Sequence, residues 1–162
     1  MKTLLILRHA KSSWDHSTLD DHERPLNARG ARDAPRVGQF LRAEGLCPDI
    51  IVSSDAVRAR RTAEIIAGIT GGQLLLDSRL YHASAVEIID ALRDAIRQDV
   101  ATVMVVGHNP GLEELIAQLT GTREALPTAA VAHIPLPIER WSDLDSSTRG
   151  TLMDMWRPKE LP

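Results

Sequence analysis

The sequence has little of several residue types that mark specialised protein classes. It contains a single cysteine, Cys47, so neither an intrachain disulfide nor a cysteine-rich zinc site can form. Aromatic residues make up only 3% of the chain, and the tryptophans do not alternate with basic residues, which argues against binding of single-stranded nucleic acid. Charges of opposite sign nearly balance at a net charge of −3, so no bulk attraction to nucleic acid or to an anionic membrane is expected.

Long hydrophobic runs are also missing. The first apolar stretch, residues 4–7, is too short for a signal peptide and is interrupted by Arg8 and His9. The sequence therefore predicts a cytoplasmic protein with no membrane partner. The composition, 43% hydrophobic and 25% charged, is typical of a globular protein, and a length of 162 residues favours one domain over residues 1–162.

Short apolar segments alternate with segments of helical spacing. Apolar runs at residues 3–7, 49–52, 73–76 and 102–106 predict buried strands, and residues 129–134 and 151–156 predict two more. Apolar residues recur with helical spacing after each of the first four runs. The alternation predicts an α/β fold of three layers, with a largely parallel central sheet flanked by helices.

Several residues indicate where the helices begin. The predicted starts are Asn27, Ser53 or Ser54, the capping box of Ser84 with Glu87, and Pro110 as a first-turn proline. Pro35 falls inside the first helical pattern and lacks a backbone donor, which predicts either a kink or a later helix start.

Basic side chains follow three of the predicted strands. The first strand leads into Arg8 and His9, the second into a serine pair with Arg58 one turn later, and the fourth into His108. Taken singly, Arg58 also fits a solvated helix face, and His108 a cap or a core position. Because the carboxyl ends of parallel strands share one edge, the four side chains are expected in one cleft. Arginines and helix N-termini suit a phosphate dianion, and two imidazoles can supply a nucleophile and a proton donor.

Three segments around these residues resemble the signatures of the histidine phosphatase superfamily. They are residues 7–10 (LRHA), 54–62 (SDAVRARRT) and 106–111 (VGHNPG). Within that superfamily the chain looks most like the SixA-type phosphohistidine phosphatases, because it is short, has Ala10 where most members have glycine, and contains ERPLNARG at residues 23–30. The resemblance covers most of residues 3–120 and implies a phosphoglycerate mutase-like fold.

The resemblance also implies a role for each of the four residues. His9 would be the nucleophile that carries a transient phosphoryl group, while Arg8, Arg58 and His108 would bind the phosphoryl oxygens. Arginine suits these positions because its rigid fork gives two hydrogen bonds to one phosphate and keeps its charge.

Three further residues are predicted to bind substrate. Arg24 lies in the SixA-like segment and would add positive charge at the rim of the cleft, although a surface arginine before a turn proline is an equal alternative. Ser12 and Asn109 complete the set. No cofactor and no metal site is expected, because the histidines and carboxylates of residues 15–23 match no metal-ligand spacing.

The expected substrate and partner is a protein that carries phosphohistidine. No general acid can be assigned, since Glu87 belongs to a capping box and Asp15, Asp21 and His82 lie in predicted loops. Imidazole is a better leaving group than an alkoxide and needs less proton donation, which favours phosphohistidine. The alternatives are a phosphomonoesterase for a small metabolite or peptide phosphate, and a phosphate-binding module without turnover.

Overall fold

A mixed sheet of six strands forms the centre of the protein, in a computed structural model that describes residues 1–162. The strands are β1 (Lys2–Arg8), β2 (Ile50–Ser53), β3 (Gln73–Leu76), β4 (Thr102–Gly107), β5 (Val131–Leu136) and β6 (Asp154–Trp156). Their order across the sheet is β3-β2-β4-β1-β5-β6. The first four are mutually parallel, whereas β5 runs antiparallel to β1 and β6 antiparallel to β5.

Two pairs of helices cover the two faces of this sheet. The helices are α1 (Ala28–Ala43), α2 (Val57–Thr70), α3 (Ala85–Ala95) and α4 (Gly111–Thr120). Successive side chains of a strand point to opposite faces, so Leu5 and Leu7 of β1 pack with α1 and α2, while Leu4 and Ile6 pack with α3 and α4. The predicted three-layer α/β fold is thereby confirmed. None of the helices is long and apolar enough to span a bilayer.

The predicted helix starts are correct at two places. The side chain of Asn27 accepts a hydrogen bond from the Gly30 amide at 2.9 Å, and Ser84 forms the expected capping box with Glu87. Helix α1 runs through Pro35, so the alternative of a later start is wrong.

Several boundaries differ from the predictions. Helix α4 begins at Gly111, with Pro110 at its N-cap and not in its first turn, and strand β6 begins at Asp154, three residues later than predicted. Helix α2 begins at Val57, and neither Ser53 nor Ser54 caps it, so that prediction is wrong. Strand β5 begins two residues later than predicted because Ala129 has a positive φ of 61°. The amide of Ala129 donates instead to the carbonyls of Arg8 and His9, which fastens this turn to the end of β1.

Candidate active site

His9 follows directly after β1 and is only 6% exposed. Its Nδ1 lies 2.7 Å from the carbonyl of Ala10, so Nδ1 carries the proton and Nε2 presents a lone pair. Burial, together with the charges of Arg58 and Arg8 and against the effect of that hydrogen bond, lowers the pKa of His9 to about 4. The ring is therefore neutral at pH 7 and has the tautomer that a nucleophile needs.

Arg58, in the first turn of α2, lies between the two histidines. Its Nε is 3.4 Å from Nε2 of His9, and its Nη2 is 3.5 Å from Nδ1 of His108. Thr62, one turn further along α2, donates to the Arg58 carbonyl and accepts from the amide of Ala10. This hydroxyl ties the start of α2 to the segment that holds His9.

His108 follows β4 and is buried beside His9, with 5.2 Å between the ring centroids. Its Nε2 lies 2.8 Å from the hydroxyl of Ser54. Because Arg58 donates toward Nδ1, Nε2 carries the proton and donates to Ser54. Burial, together with the charges of His9 and Arg58, lowers the pKa of His108 to about 3. Ser54 thus orients His108. The sequence did not predict this role, because a serine just before a helix is usually interpreted as a helix cap.

Arg8 and Asn109 meet at the carbonyl of Leu126. Nη1 of Arg8 lies 3.3 Å from this oxygen, and Nδ2 of Asn109 lies 2.8 Å from it. Nε of Arg8 and Oδ1 of Asn109 are buried without a partner. Desolvation lowers the pKa of Arg8. Because its Nε is buried without a partner, Arg8 has a donor that can bind an incoming acceptor.

Arg24 is buried rather than free at the surface. Its Nε donates to the Ser13 carbonyl at 3.1 Å, and its Nη2 donates to the hydroxyl of Ser12. The guanidinium also stacks on the ring of Trp14, 3.3 Å from the ring centroid. The structure places Ser12 as a partner of Arg24.

Asp21 and Tyr81 complete the rim of the site; the sequence analysis considered Asp21 only as an acid and missed Tyr81. The Asp21 carboxylate accepts from Tyr81 at 2.6 Å, from Arg24 at 2.8 Å and from Arg58 at 3.0 Å. The hydrogen bond from Tyr81, together with those from the two arginines, holds the pKa of Asp21 well below its usual range. The spacing of Asp21 and Arg24, three residues apart, is the one signal in the sequence that points to part of this cluster.

The other residues considered as acids lie differently. Glu87 forms the capping box of α3, as predicted. His82 has a positive φ of 57° and packs against Tyr81 with 3.9 Å between ring centroids. No group of three or more histidine, cysteine or carboxylate side chains is arranged to hold a metal ion.

Three of the four residues predicted to form a phosphoryl site, His9, Arg58 and His108, thus lie together at the carboxyl ends of the parallel strands, and Arg8 is near enough for its charge to lower the pKa of His9. A neutral histidine with a free Nε2, next to fixed guanidinium donors, can attack phosphorus and stabilise the charge on its oxygens. This arrangement of imidazoles and guanidinium groups suits the transfer of a phosphoryl group.

Comparison with known proteins identifies the family. The model of the histidine phosphatase superfamily (branch 1) matches residues 4–88. An uncharacterized chloroplastic protein of Arabidopsis thaliana is 34% identical over 152 residues, which cover 88% of this chain and 70% of that one. The chain belongs to the histidine phosphatase superfamily, and it is a phosphatase.

Solved structures narrow the resemblance. The protein assigned as phosphohistidine phosphatase SixA from Nakamurella multipartitia superposes with a TM-score of 0.86 and 28% identity, over 97% of this chain and 96% of that one. The corresponding SixA protein from Agrobacterium tumefaciens gives a TM-score of 0.82 and 25% identity, over 97% and 98% of the two chains. The predicted likeness to the SixA type and the phosphoglycerate mutase-like fold are confirmed.

Proposed function

We propose that this phosphatase removes the phosphoryl group from phosphohistidine on a protein, through a transient phosphohistidine on His9 and without a metal. The observation that carries the proposal is the free Nε2 of a neutral His9, 3.4 Å from Nε of Arg58. The lone pair faces a donor that also suits a phosphoryl oxygen. Fixed cationic donors need no reorganisation as charge spreads over the equatorial oxygens of a loose transition state.

In the first step, Nε2 of His9 attacks phosphorus, and the bond between phosphorus and the substrate imidazole breaks. When the second ring nitrogen of the substrate phosphohistidine is protonated, the ring departs as neutral imidazole and no further proton is needed. His9 becomes a phosphorylated imidazolium, whose Nδ1–H remains bonded to the Ala10 carbonyl. A P–N bond is exchanged for another P–N bond, so the step needs no strong acid. Water then attacks the phosphorus on His9, which releases inorganic phosphate and restores the neutral ring.

His108 contributes in its own way to oxygen binding. A phosphate dianion in the pocket favours protonation of Nδ1, which Arg58 faces in the resting protein. His108 would then donate from Nδ1 to a phosphoryl oxygen while Nε2–H stays bonded to Ser54. Arg8 brings its unpaired Nε to the same dianion.

Two features favour a phosphohistidine on a protein over a small phosphate ester. The carboxylate at the rim, Asp21, has its pKa held well below the usual range, so it cannot protonate an alkoxide at neutral pH. Trp14 beside the pocket is 73% exposed and stacks on Arg24, which leaves one face of its ring for a macromolecular partner.

The decisive experiment compares substrates with one enzyme preparation. We expect kcat/KM for a phosphohistidine peptide to exceed that for an alkyl phosphate by roughly 100-fold or more, the usual worth of a general acid. Para-nitrophenyl phosphate should lie between them, and His9→Ala should lose all three activities while keeping its thermal unfolding temperature. Prior dialysis against a chelator should change nothing. Equal rates for the alkyl phosphate and the peptide would overturn the proposal in favour of a metabolite phosphatase.

A further inference from the structure

The Asp21 carboxylate binds two arginines of the phosphoryl site at once. Its Oδ1 lies 2.8 Å from Nη1 of Arg24, and its Oδ2 lies 3.0 Å from Nη2 of Arg58. Tyr81 donates to the same Oδ2 at 2.6 Å. The side chain is 43% exposed, so this negative charge lies at the opening of the pocket.

Neither arginine depends on that carboxylate for its position. Arg24 is also held by the Ser12 hydroxyl, the Ser13 carbonyl and the ring of Trp14. Arg58 donates to the main-chain carbonyl of Asp21 at 2.6 Å, a contact that any side chain at this position would preserve. The carboxylate therefore contributes mainly its negative charge, because other contacts hold Arg24 and Arg58 in position.

The two arginines differ in what an incoming phosphate can do to them. Arg58 adjoins Nε2 of His9, where phosphorus must arrive, and a dianion competes there with a single carboxylate charge. Arg24 has no such neighbour, so Asp21 can stay bonded to Arg24 and Tyr81 when phosphate takes Arg58. Arg24 is then neutralised and unavailable to a second anionic group of the substrate.

We propose that Asp21 is a specificity residue: it rejects phosphate compounds that carry a carboxylate or second phosphate beside the phosphoryl group, and admits an imidazole ring, which has no negative charge. This inference rests on the proposed function, because it explains how the same pocket would prefer phosphohistidine. A substrate imidazole can also donate its N–H to the Asp21 carboxylate, whereas a second anion meets a like charge.

A pair of non-hydrolysable ligands tests the idea by binding alone. Methylphosphonate and phosphonoacetate differ by one carboxylate next to the phosphonate, and calorimetry gives the ratio of their Kd values. The wild-type protein should favour methylphosphonate. Asp21→Asn should shift the ratio toward phosphonoacetate by about tenfold or more, because Arg24 keeps its position but loses the carboxylate that neutralises it. The new amide in Asp21→Asn could itself perturb the turn. Asp21→Ser, measured in parallel, removes the same charge without an amide and should shift the ratio in the same direction.

Two controls separate this effect from a general change of charge. Glu23→Gln removes the same charge from the same turn, where no arginine contacts it, and should leave the ratio unchanged. Adding Arg24→Gln to Asp21→Asn should abolish the gain for phosphonoacetate. Equal tightening of both ligands in Asp21→Asn, an unchanged ratio, or a gain that survives the loss of Arg24 would overturn the inference. These experiments measure binding and not turnover. A failure of this inference can therefore be distinguished from a failure of the proposed phosphohistidine hydrolysis.

Discussion

Nε of Arg58 lies 3.4 Å from Nε2 of His9, so the guanidinium donates to the lone pair that attacks phosphorus in the proposed reaction. In the resting protein this contact keeps Nε2 as an acceptor and fixes the tautomer from the side opposite the Ala10 carbonyl. A phosphoryl group that enters the pocket must come between these two atoms. Arg58 is then already in place to follow the charge onto the phosphoryl oxygens.

Replacing Arg58 by lysine should reduce activity despite the retained charge. An ammonium group cannot bridge His9, His108 and a phosphoryl oxygen as a planar fork does, and we expect kcat/KM to fall by about 100-fold or more. Arg61→Lys is the matched control, because Arg61 is exposed on the same helix and pairs with Glu64. Steady-state kinetics that match those of the control would contradict the role given to Arg58.

Burial of His9 should make stability depend on pH. Its pKa falls from 6.5 to about 4 on folding, so the unfolded chain binds more protons than the folded one between these values. The free energy of unfolding should therefore drop as the pH falls from about 6.5 to about 4, by about 3 kcal/mol from this residue. Urea denaturation of the wild-type protein and of His9→Asn at both ends of that range measures the difference. If both proteins lose the same stability, the lowered pKa of His9 is wrong.

Trp14 offers a way to separate docking of a protein from the chemistry. Its exposed ring should contact the protein that carries the phosphohistidine, so Trp14→Ala should reduce kcat/KM for a phosphorylated protein by about tenfold. Phosphoimidazole is too small to reach the ring and should be hydrolysed at nearly the wild-type rate. Met153→Ala, which also truncates an exposed apolar side chain, serves as the control. A parallel loss with both substrates would assign Trp14 to positioning Arg24 instead.

Two glycines in helices provide a matched test of packing next to the site. A Cβ at Gly30 would collide with the carbonyl of Lys11, whereas one at Gly68 would meet nothing within 4 Å. Gly30→Ala should therefore destabilise the protein by about 1–3 kcal/mol. Gly68→Ala should stabilise it by roughly 0.5–1 kcal/mol, since alanine is the better helix former. Thermal or urea unfolding measures both, and a stable Gly30→Ala variant would show that residues 10–13 can move away from α1.

The sequence predicted the parallel half of the sheet well because its strands are short apolar runs with clear ends. Strands β1 to β4 differ from the predicted ranges by no more than one residue at either end. The start of strand β5 was predicted two residues too early, because the positive φ of Ala129 cannot be recognised from the residue type. Ser54 was misread as a helix start, since a serine that orients a histidine and one that caps a helix share the same pattern.

The grouping of His9, Arg58 and His108 could be predicted because these residues follow directly after a strand or lie in the first turn of the next helix. The rim could not. Tyr81 lies 60 positions from Asp21 in the chain, and only the folded structure brings its hydroxyl to that carboxylate. Asp21 was considered solely as an acid, whereas the structure surrounds it with donors that keep it ionised.

The division of the site between two kinds of chain segment bears on how such an enzyme diversifies. His9, Arg58 and His108 are anchored where the sheet meets its helices, whereas Trp14 and Asp21 both belong to residues 10–27, the part of the connection from β1 to α1 that follows His9. Mutations that lengthen, shorten or recharge this connection can redirect the enzyme to a new class of phosphate compound without disturbing the reacting atoms. Paralogues that inherit the same chemistry can therefore drift apart in the molecules they process, and a graft of residues 10–26 alone should be enough to exchange preferences between them.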